Sequence, residues 1–120
     1  MKLTPVKSLK KKADVLMSLY IRKRDKRCVL CGTTLKLQCG HLISRRKNSV
    51  RWDDVNCNCQ CWGCNLRHNQ WPEYYTNWFI KEYGQSMYED LVDRSQKIIK
   101  VNRVFLEGII EKIEDKMSKL

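Results

Sequence analysis

Apolar residues recur at every third or fourth position near the start of the chain, directly after Pro5. They are Val6, Leu9, Ala13, Leu16 and Tyr20. This spacing is typical of an amphipathic helix, and proline suits the first turn of one. The pattern therefore predicts a helix over residues 6–24, with a largely basic face opposite the apolar one.

Residues 28–64 lack helical periodicity and alternate apolar with polar positions in two places. The first alternating run contains Leu35, Leu37 and Cys39, and the second contains Val55, Cys57 and Cys59. Alternation with a period of two is the pattern of a half-buried strand. We therefore expect a two-stranded hairpin whose strands are joined by a long loop.

Helical patterns return after Asn65. Residues 72–84 have a proline at the start and a glycine at the end, and Ser86 can cap a further helix to about residue 93. A long helix is predicted over residues 96–118, with an apolar seam at intervals of four and three. The seam contains Leu106, Ile110, Ile113, Met117 and Leu120. It predicts a homodimer formed in part through residues 96–120, the alternative being that the helix covers the core of its own chain.

The net charge of +11 on 120 residues makes nucleic acid the expected partner. Residues 1–27 contribute +8, residues 28–84 contribute +3 and residues 85–120 contribute zero. We expect DNA phosphates to contact two basic runs, one in the first helix and one in the hairpin loop. The predicted DNA-binding residues are Lys10, Lys11, Lys12, Arg22, Lys23, Arg24, Arg45, Arg46 and Lys47.

The sequence excludes two other classes of protein. Because no apolar stretch approaches the roughly 18 residues needed to cross a bilayer, a membrane protein is not expected. Seven cysteines cannot all pair in internal disulfides, and no export signal is evident, so we expect reduced thiols in a cytoplasmic protein.

Two Cys-x-x-Cys pairs, Cys28 with Cys31 and Cys61 with Cys64, are the strongest chemical signal. A two-residue spacer lets both sulfurs bind one tetrahedral ion, so these four residues predict a structural Zn²⁺ site. Two alternatives stay open: a ligand set that uses Cys59, and a second ion bound by the three remaining cysteines. In the simplest interpretation those three, Cys39, Cys57 and Cys59, are buried apolar residues.

Both histidines lie in or next to the segment between the cysteine pairs. His41 precedes the basic loop, and Asn56 lies where its side chain can fix the backbone of that loop. His68 follows Asn65 by three residues, on the same face of a predicted helix, so the two could share one divalent ion.

The chain resembles a known family in the runs Cys28-x-x-Cys31-Gly32, Leu37-Gln38-x-Gly40-His41, Arg51-Trp52-Asp53-x-x-Asn56 and Gln60-Cys61-x-x-Cys64-Asn65. Together they look like the zinc-containing HNH (His-Me finger) endonucleases, in particular the bacteriophage lambda NinG, or Rap, recombination proteins. The resemblance covers about residues 26–84. It implies an α+β fold: a ββα-metal core with a four-cysteine zinc knuckle in residues 28–84, a basic helix in residues 1–27, and C-terminal helices in residues 85–120 of the same domain or a dimerisation element.

The resemblance also implies an activity, the hydrolysis of DNA phosphodiester bonds in a bacterial host cell. His41 would be the general base, Asn56 would orient the loop, and Asn65 with His68 would face a catalytic Mg²⁺ or Mn²⁺ ion. The substrates implied are branched recombination intermediates such as Holliday junctions. The chain departs from many HNH sites at Gly40, where an Asp or His usually precedes the base.

Two readings from other classes compete with the nuclease. A zinc-stabilised DNA-binding module would share the charge and the cysteine pairs, but would have no use for His41 beside the loop. A protein-interaction domain of the RING type would need more metal ligands at alternating spacing, and would gain nothing from the basic first segment.

Overall fold

The computed structural model describes residues 3–120, which form an α+β fold of five helices and one two-stranded sheet. Met1 and Lys2 of the predicted basic segment 1–27 lie outside the described residues. The elements are α1 (Val6–Asp25), β1 (Leu37–His41), β2 (Cys57–Cys61), α2 (Trp62–Arg67), α3 (Glu73–Tyr83), α4 (Gln85–Ser95) and α5 (Arg103–Ser118).

The first helix, α1, follows the predicted boundaries closely. Leu9, Ala13 and Met17 form its buried face, as the spacing of three and four residues requires. The helix ends at Lys26, whose left-handed backbone (φ 68°) lets its N–H bond to the carbonyl of Arg22.

The two strands pair antiparallel, from Leu37 opposite Cys61 to His41 opposite Cys57. Because side chains alternate along a strand, the odd-numbered residues share one face, which packs into the core with α1 and α5. The even-numbered residues face the other way and contact α2 and α3.

The predicted strands begin too early. Leu35 is exposed and precedes β1, because the left-handed backbone of Lys36 (φ 53°) separates it from the strand. Val55 lies in a turn before β2, where its N–H bonds to the Asp53 side chain instead of to a neighbouring strand.

Two apolar clusters lie on opposite sides of the hairpin. The first joins α1, the odd-numbered face of the hairpin and α5, and includes Ile21, Trp52 and Leu106. The second joins the hairpin loop to α3 and α4, and includes Leu42, Val50, Tyr75, Phe79 and Leu91. The hairpin is therefore enclosed by helices that come from both ends of the chain.

The last helix begins at Arg103, seven residues later than the sequence suggested. Its start is set by Asn102, whose side-chain oxygen accepts a hydrogen bond from the Phe105 N–H at 2.9 Å. Residues 97–102 are not helical.

The apolar seam of α5 packs mainly inside its own chain, which corrects the expectation that it faces a second copy. Leu106, Ile110 and Ile113 are buried in the cluster with α1, while Leu120 is exposed. These three residues therefore follow the alternative expectation, in which the helix covers the core of its own chain. A homodimer through residues 96–120 stays a prediction, and it would have to use other side chains of α5.

The remaining helices, α3 and α4, lie within two residues of their predicted bounds and meet at Gly84. The backbone of Gly84 has a φ of 93°, which favours glycine, and this residue ends α3 and precedes α4. Among the helices described over residues 3–120, none is long and apolar enough to cross a membrane.

Replacing Leu106 by Ala should lower the free energy of unfolding by about 2–5 kcal/mol, because it opens a cavity between α1 and α5. Val104→Ala is the matched control: Val104 lies on the same helix but is 78% exposed, so its effect should stay within about 0.5 kcal/mol. Denaturant unfolding of both variants with zinc present measures the difference. Equal losses would show that α5 does not pack as described.

Candidate active site and metal centre

Four cysteines meet at one end of the hairpin. Cys28 and Cys31 flank a tight turn closed by the Gly32 N–H bonding to the Cys28 carbonyl at 2.9 Å. Cys61 is the last residue of β2, and Cys64 lies in the first turn of α2. The cluster therefore joins the segment before β1 to the point where β2 becomes a helix.

The arrangement of these sulfurs fits a tetrahedral metal ion. All four lie within 4.8 Å of one another, and the sulfurs of Cys31 and Cys61 are 3.7 Å apart. Zn–S bonds of about 2.3 Å place the sulfurs of a tetrahedral site about 3.8 Å apart. Backbone N–H groups point at two of them, from Cys31 to Cys28 at 3.5 Å and from Cys64 to Cys61 at 3.4 Å.

The pKa values of the clustered thiols indicate that a cation is needed for all four to be ionised. Burial alone would raise the pKa of Cys28, but N–H donors including that of Cys31 lower it to about 7. Burial and the neighbouring sulfurs raise the pKa of Cys64 instead. Four thiolates cannot share this space without a positive ion, and these four residues could bind a structural metal such as zinc.

The alternative ligand set that uses Cys59 is wrong. Cys59 is fully buried on the core face of β2, and within residues 3–120 it belongs to neither group of side chains that could bind a metal. Burial raises the pKa of its thiol to about 11.

His41 ends β1 at the opposite end of the hairpin from the four cysteines. Its Nε2 lies 2.8 Å from the carbonyl oxygen of Arg51. Because a carbonyl can only accept, Nε2 carries the proton and Nδ1 has the lone pair. Burial, together with the positive charges of Arg45 and Arg51, lowers the pKa of His41 below 6.5. The ring is therefore neutral at neutral pH.

Asn56 holds the loop that follows His41. Its side-chain nitrogen donates to the carbonyls of Ile43 and Val50, both at 3.0 Å, and its oxygen accepts from the Ile43 N–H at 2.8 Å. The residue is fully buried just before β2. One amide thus ties the beginning and the middle of the loop to the residue before the second strand.

A cleft runs beside β1 and consists of two adjoining hollows of about 310 and 470 Å³. Both are lined by Cys39, His41, Arg45 and Asn65. The first hollow extends to α1, and the second extends to His68 and the turn after α2. The cleft brings His41 at the end of β1 together with Asn65 in α2 and His68 directly after α2.

Asn65 and His68 contribute uncharged donor atoms to this cleft. The Asn65 side-chain nitrogen donates to the Gln38 side chain at 2.9 Å, which leaves the Asn65 oxygen free to bind a cation. His68 Nε2 lies 3.1 Å from the Leu42 carbonyl, and its buried Nδ1 has no hydrogen-bond partner among the described residues. An amide oxygen and an imidazole nitrogen are donor atoms that divalent ions accept, and two uncharged ligands would bind Mg²⁺ weakly before substrate arrives.

Gly40 cannot supply a further ligand. A side chain there would collide with the buried side chain of Gln60 on the opposite strand. The carbonyl of Gly40 accepts a hydrogen bond from the Tyr75 hydroxyl at 2.8 Å. The departure from many HNH sites at this position thus has a packing reason.

Asp14 on α1 is the site residue that the sequence analysis missed. Its carboxylate accepts from Arg51 at 3.0 and 2.6 Å, from the Trp52 indole at 2.9 Å and from Arg45 at 3.1 Å. Partial burial would raise the pKa of Asp14, but the two arginines lower it overall. Its one sequence signal is that it interrupts the basic run of residues 1–27.

The structure divides the predicted DNA-binding residues into three groups. The first group makes hydrogen bonds within the protein: the Arg24 guanidinium donates to the carbonyls of Asp54 and Cys57, at 2.8 and 3.0 Å, and to the Asp25 carboxylate at 2.8 Å. It is therefore occupied in holding β2 against α1. Arg22 belongs to the same group, because it is half-buried and its guanidinium donates to Ser18.

The second group consists of the lysines of α1, and the face of the helix on which each lies decides whether it is near the cleft. At 100° per residue, Lys10 and Lys11 share the face of Asp14, whereas Lys12 and Lys23 lie on the opposite face and point away from the cleft. The third group is the loop, where Arg45, Arg46 and Lys47 are exposed beside the cleft. Lys7 also shares the face of Asp14, although it was not among the predicted residues.

Comparison with known proteins gives one positive result. The family model described as Bacteriophage Lambda NinG protein matches residues 1–120 of the chain. No curated protein and no solved structure matches it.

Replacing Cys64 by Ser should remove about one zinc ion per chain and unfold the hairpin end, since such ions contribute about 10 kcal/mol or more to folding. The matched control is Cys59→Ala, which removes a buried cysteine outside the cluster and should keep the parental zinc content. Elemental analysis and circular dichroism measure the two effects. A folded Cys64→Ser protein that lacks the ion would contradict the assignment.

Proposed function

The chain belongs to the family of the bacteriophage lambda NinG protein, and from this premise we propose that it is a metal-dependent HNH endonuclease that hydrolyses DNA phosphodiester bonds. The observation that carries the proposal is the state of His41, a neutral imidazole with its lone pair on Nδ1 at the wall of a basic cleft. We propose branched recombination intermediates, such as Holliday junctions, as its substrates in the phage context.

His41 acts as the general base. The Arg51 carbonyl holds the proton on Nε2, so Nδ1 accepts the proton of a water molecule as that water attacks phosphorus. Because the pKa of His41 is lowered, the base is in its active form at neutral pH. Asn56 keeps the loop beside the base in one conformation, through its three bonds to the loop backbone.

Cationic side chains hold the DNA backbone at the cleft. Arg45 lines both hollows, and its side chain remains 59% exposed although it pairs with Asp14. Its guanidinium is positioned to bind a phosphate oxygen next to His41. Lys11 on α1 and Arg46 in the loop extend the positive surface on either side.

Asn65 and His68 would bind the catalytic Mg²⁺ or Mn²⁺. A divalent ion there supplies Lewis acidity, which stabilises charge on the phosphate and on the leaving 3′ oxygen. The Leu42 carbonyl orients the His68 ring, and the edge of that ring packs on Tyr75 with centroids 5.1 Å apart. The Leu42 carbonyl assigns the ring proton to Nε2, so Nδ1 is the nitrogen that would hold the ion.

Asp14 is a positioning residue. It binds the Arg51 side chain through two hydrogen bonds, while the carbonyl of the same arginine holds His41. A change on α1 is therefore transmitted to the base through one residue of the loop.

Replacing His41 by Ala should lower the cleavage rate by roughly 10²–10⁴-fold, because the proton acceptor is lost, while the ion at the four-cysteine cluster and the DNA affinity stay unchanged. The assay uses protein with one equivalent of zinc, enough for the four-cysteine cluster alone, and labelled linear duplex and four-way junction DNA, in Mg²⁺, in Mn²⁺ and in buffer freed of divalent ions. A strong chelator is avoided because it would also remove the structural zinc. Cleavage by His41→Ala at the parental rate would exclude the HNH mechanism.

The same assay separates the nuclease from its rival, a zinc-stabilised DNA-binding module. Binding without cleavage by the parental protein, on both substrates and with both ions, would establish the rival. Equal cleavage of linear and four-way DNA would leave the nuclease but remove the preference for branched substrates.

Replacing Asp14 by Asn should lower the cleavage rate by about ten- to a hundredfold, because Arg51 and the base it holds are displaced. It should also move the midpoint of the pH profile further down, since Asp14 raises the pKa of His41 and the arginines beside it lower that pKa. Asp115→Asn is the control, because Asp115 is exposed on α5, far along the chain from the cleft residues, and its carboxylate pairs with Lys119 just after the same helix. An unchanged midpoint in Asp14→Asn would contradict the positioning role.

Replacing Lys11 by Gln should flatten the dependence of log Kd on log salt by about 0.9, the value expected for one lost phosphate contact. Lys23→Gln is the matched control on the same helix, because Lys23 lies on the face opposite the cleft. Fluorescence anisotropy at several salt concentrations measures both slopes. If Lys23 changes the slope and Lys11 does not, DNA follows the other face of α1.

A further inference from the structure

Two cysteines outside the zinc knuckle lie beside the proposed base. The sulfurs of Cys39 and Cys57 and a ring nitrogen of His41 all lie within 4.8 Å of one another. All three residues share the odd-numbered face of the hairpin, because His41 follows Cys39 by two residues and is paired with Cys57. The pairing of the two strands thus brings Cys39, His41 and Cys57 together.

We propose that Cys39, His41 and Cys57 form a second metal site, specific for a thiophilic divalent ion such as zinc. The site is separate from the four-cysteine cluster, which lies at the other end of the hairpin. An ion bound there would be coordinated by the unprotonated ring nitrogen of His41, so that this nitrogen could not accept a proton. That consequence rests on the proposed nuclease function, whereas the site itself does not.

The spacing of the three ligand atoms suits zinc after a small adjustment. Zn–S bonds of about 2.3 Å and Zn–N bonds of about 2.0 Å require ligand atoms roughly 3.5–3.8 Å apart in a tetrahedral site. The present upper limit is 4.8 Å. Side-chain rotation at Cys39, which is only partly buried, can supply the difference.

The geometry argues against a disulfide as the reason for the cysteine pair. The residue paired with Cys39 is Cys59, so Cys39 and Cys57 occupy diagonal positions on the two strands. Diagonal positions are about 7–8 Å apart, whereas disulfides usually join Cα atoms 4.4–6.8 Å apart. Both sulfurs therefore stay available to an ion.

An ion can reach this group from the cleft, because Cys39 and His41 line both of its hollows. Three protein ligands leave a fourth tetrahedral position for water or a phosphate oxygen. Two sulfurs and one imidazole select zinc and exclude the oxygen-preferring Mg²⁺. The proposed catalytic ion and the thiophilic ion would therefore bind to different residues of one cleft.

Cobalt(II) is the probe for the site, because it replaces zinc and gives sulfur-to-metal absorption bands. Metal-free protein titrated with cobalt under reducing conditions should bind two ions per chain. Cys39→Ser and His41→Gln should each bind one. Cys59→Ala, which alters the strand partner of Cys39 but neither ligand set, should bind two. One ion in the parental protein, or two in both Cys39→Ser and His41→Gln, would overturn the site.

A second measurement tests the effect on the base. Zinc added to the Mg²⁺-supported reaction should lower the parental cleavage rate at least tenfold, and Cys39→Ser should lose most of that inhibition relative to its own zinc-free rate. If the parental protein binds two ions but cleaves no DNA, the site stands and the proposed nuclease fails. If it cleaves DNA but binds one ion, the nuclease stands and the site fails. Equal inhibition of both proteins would show that zinc acts elsewhere.

Discussion

A hairpin of two five-residue strands is at best marginally stable alone in water, so this structure depends on fastening the hairpin at both ends. At the end where Leu37 pairs with Cys61, four cysteines bring the preceding turn and α2 together around one point. At the other end, where His41 pairs with Cys57, the fastening is a set of hydrogen bonds centred on Asn56. The helices α1 and α5 then cover one face of the hairpin.

The two ends of the hairpin serve different purposes. The cysteine end is suited to stability, because a bound ion would fasten the turn before β1 to the first turn of α2. The histidine end is suited to chemistry, because hydrogen bonds to other segments of the chain fix the side chains of His41, Asp14 and Asn65. Arg51 is the residue common to these contacts: its carbonyl holds His41 and its guanidinium binds Asp14. This coupling makes the orientation of the His41 ring depend on how α1 packs.

Much of this arrangement could be predicted from the sequence, because its signals are local. The two Cys-x-x-Cys pairs predicted the four-sulfur cluster, and the alternation of residues predicted the hairpin. Other features depend on packing and left no local signal. Asp14 meets Arg51 across 37 positions of the chain, and Arg24 reaches the Cys57 carbonyl across 33 positions. The apolar seam of α5 could not reveal whether α1 or a second chain would cover it.

The pH dependence of single-turnover cleavage tests the central claim most directly, namely that a neutral His41 is the base. The imidazole is active only when unprotonated, so a lowered pKa means that the rate falls as the pH drops through a midpoint below 6.5. A plateau above that midpoint is expected in the parental protein with zinc at the four-cysteine cluster alone, and the loss of this step is expected in His41→Ala. A midpoint at or above 6.5, or the same step in His41→Ala, would contradict this claim.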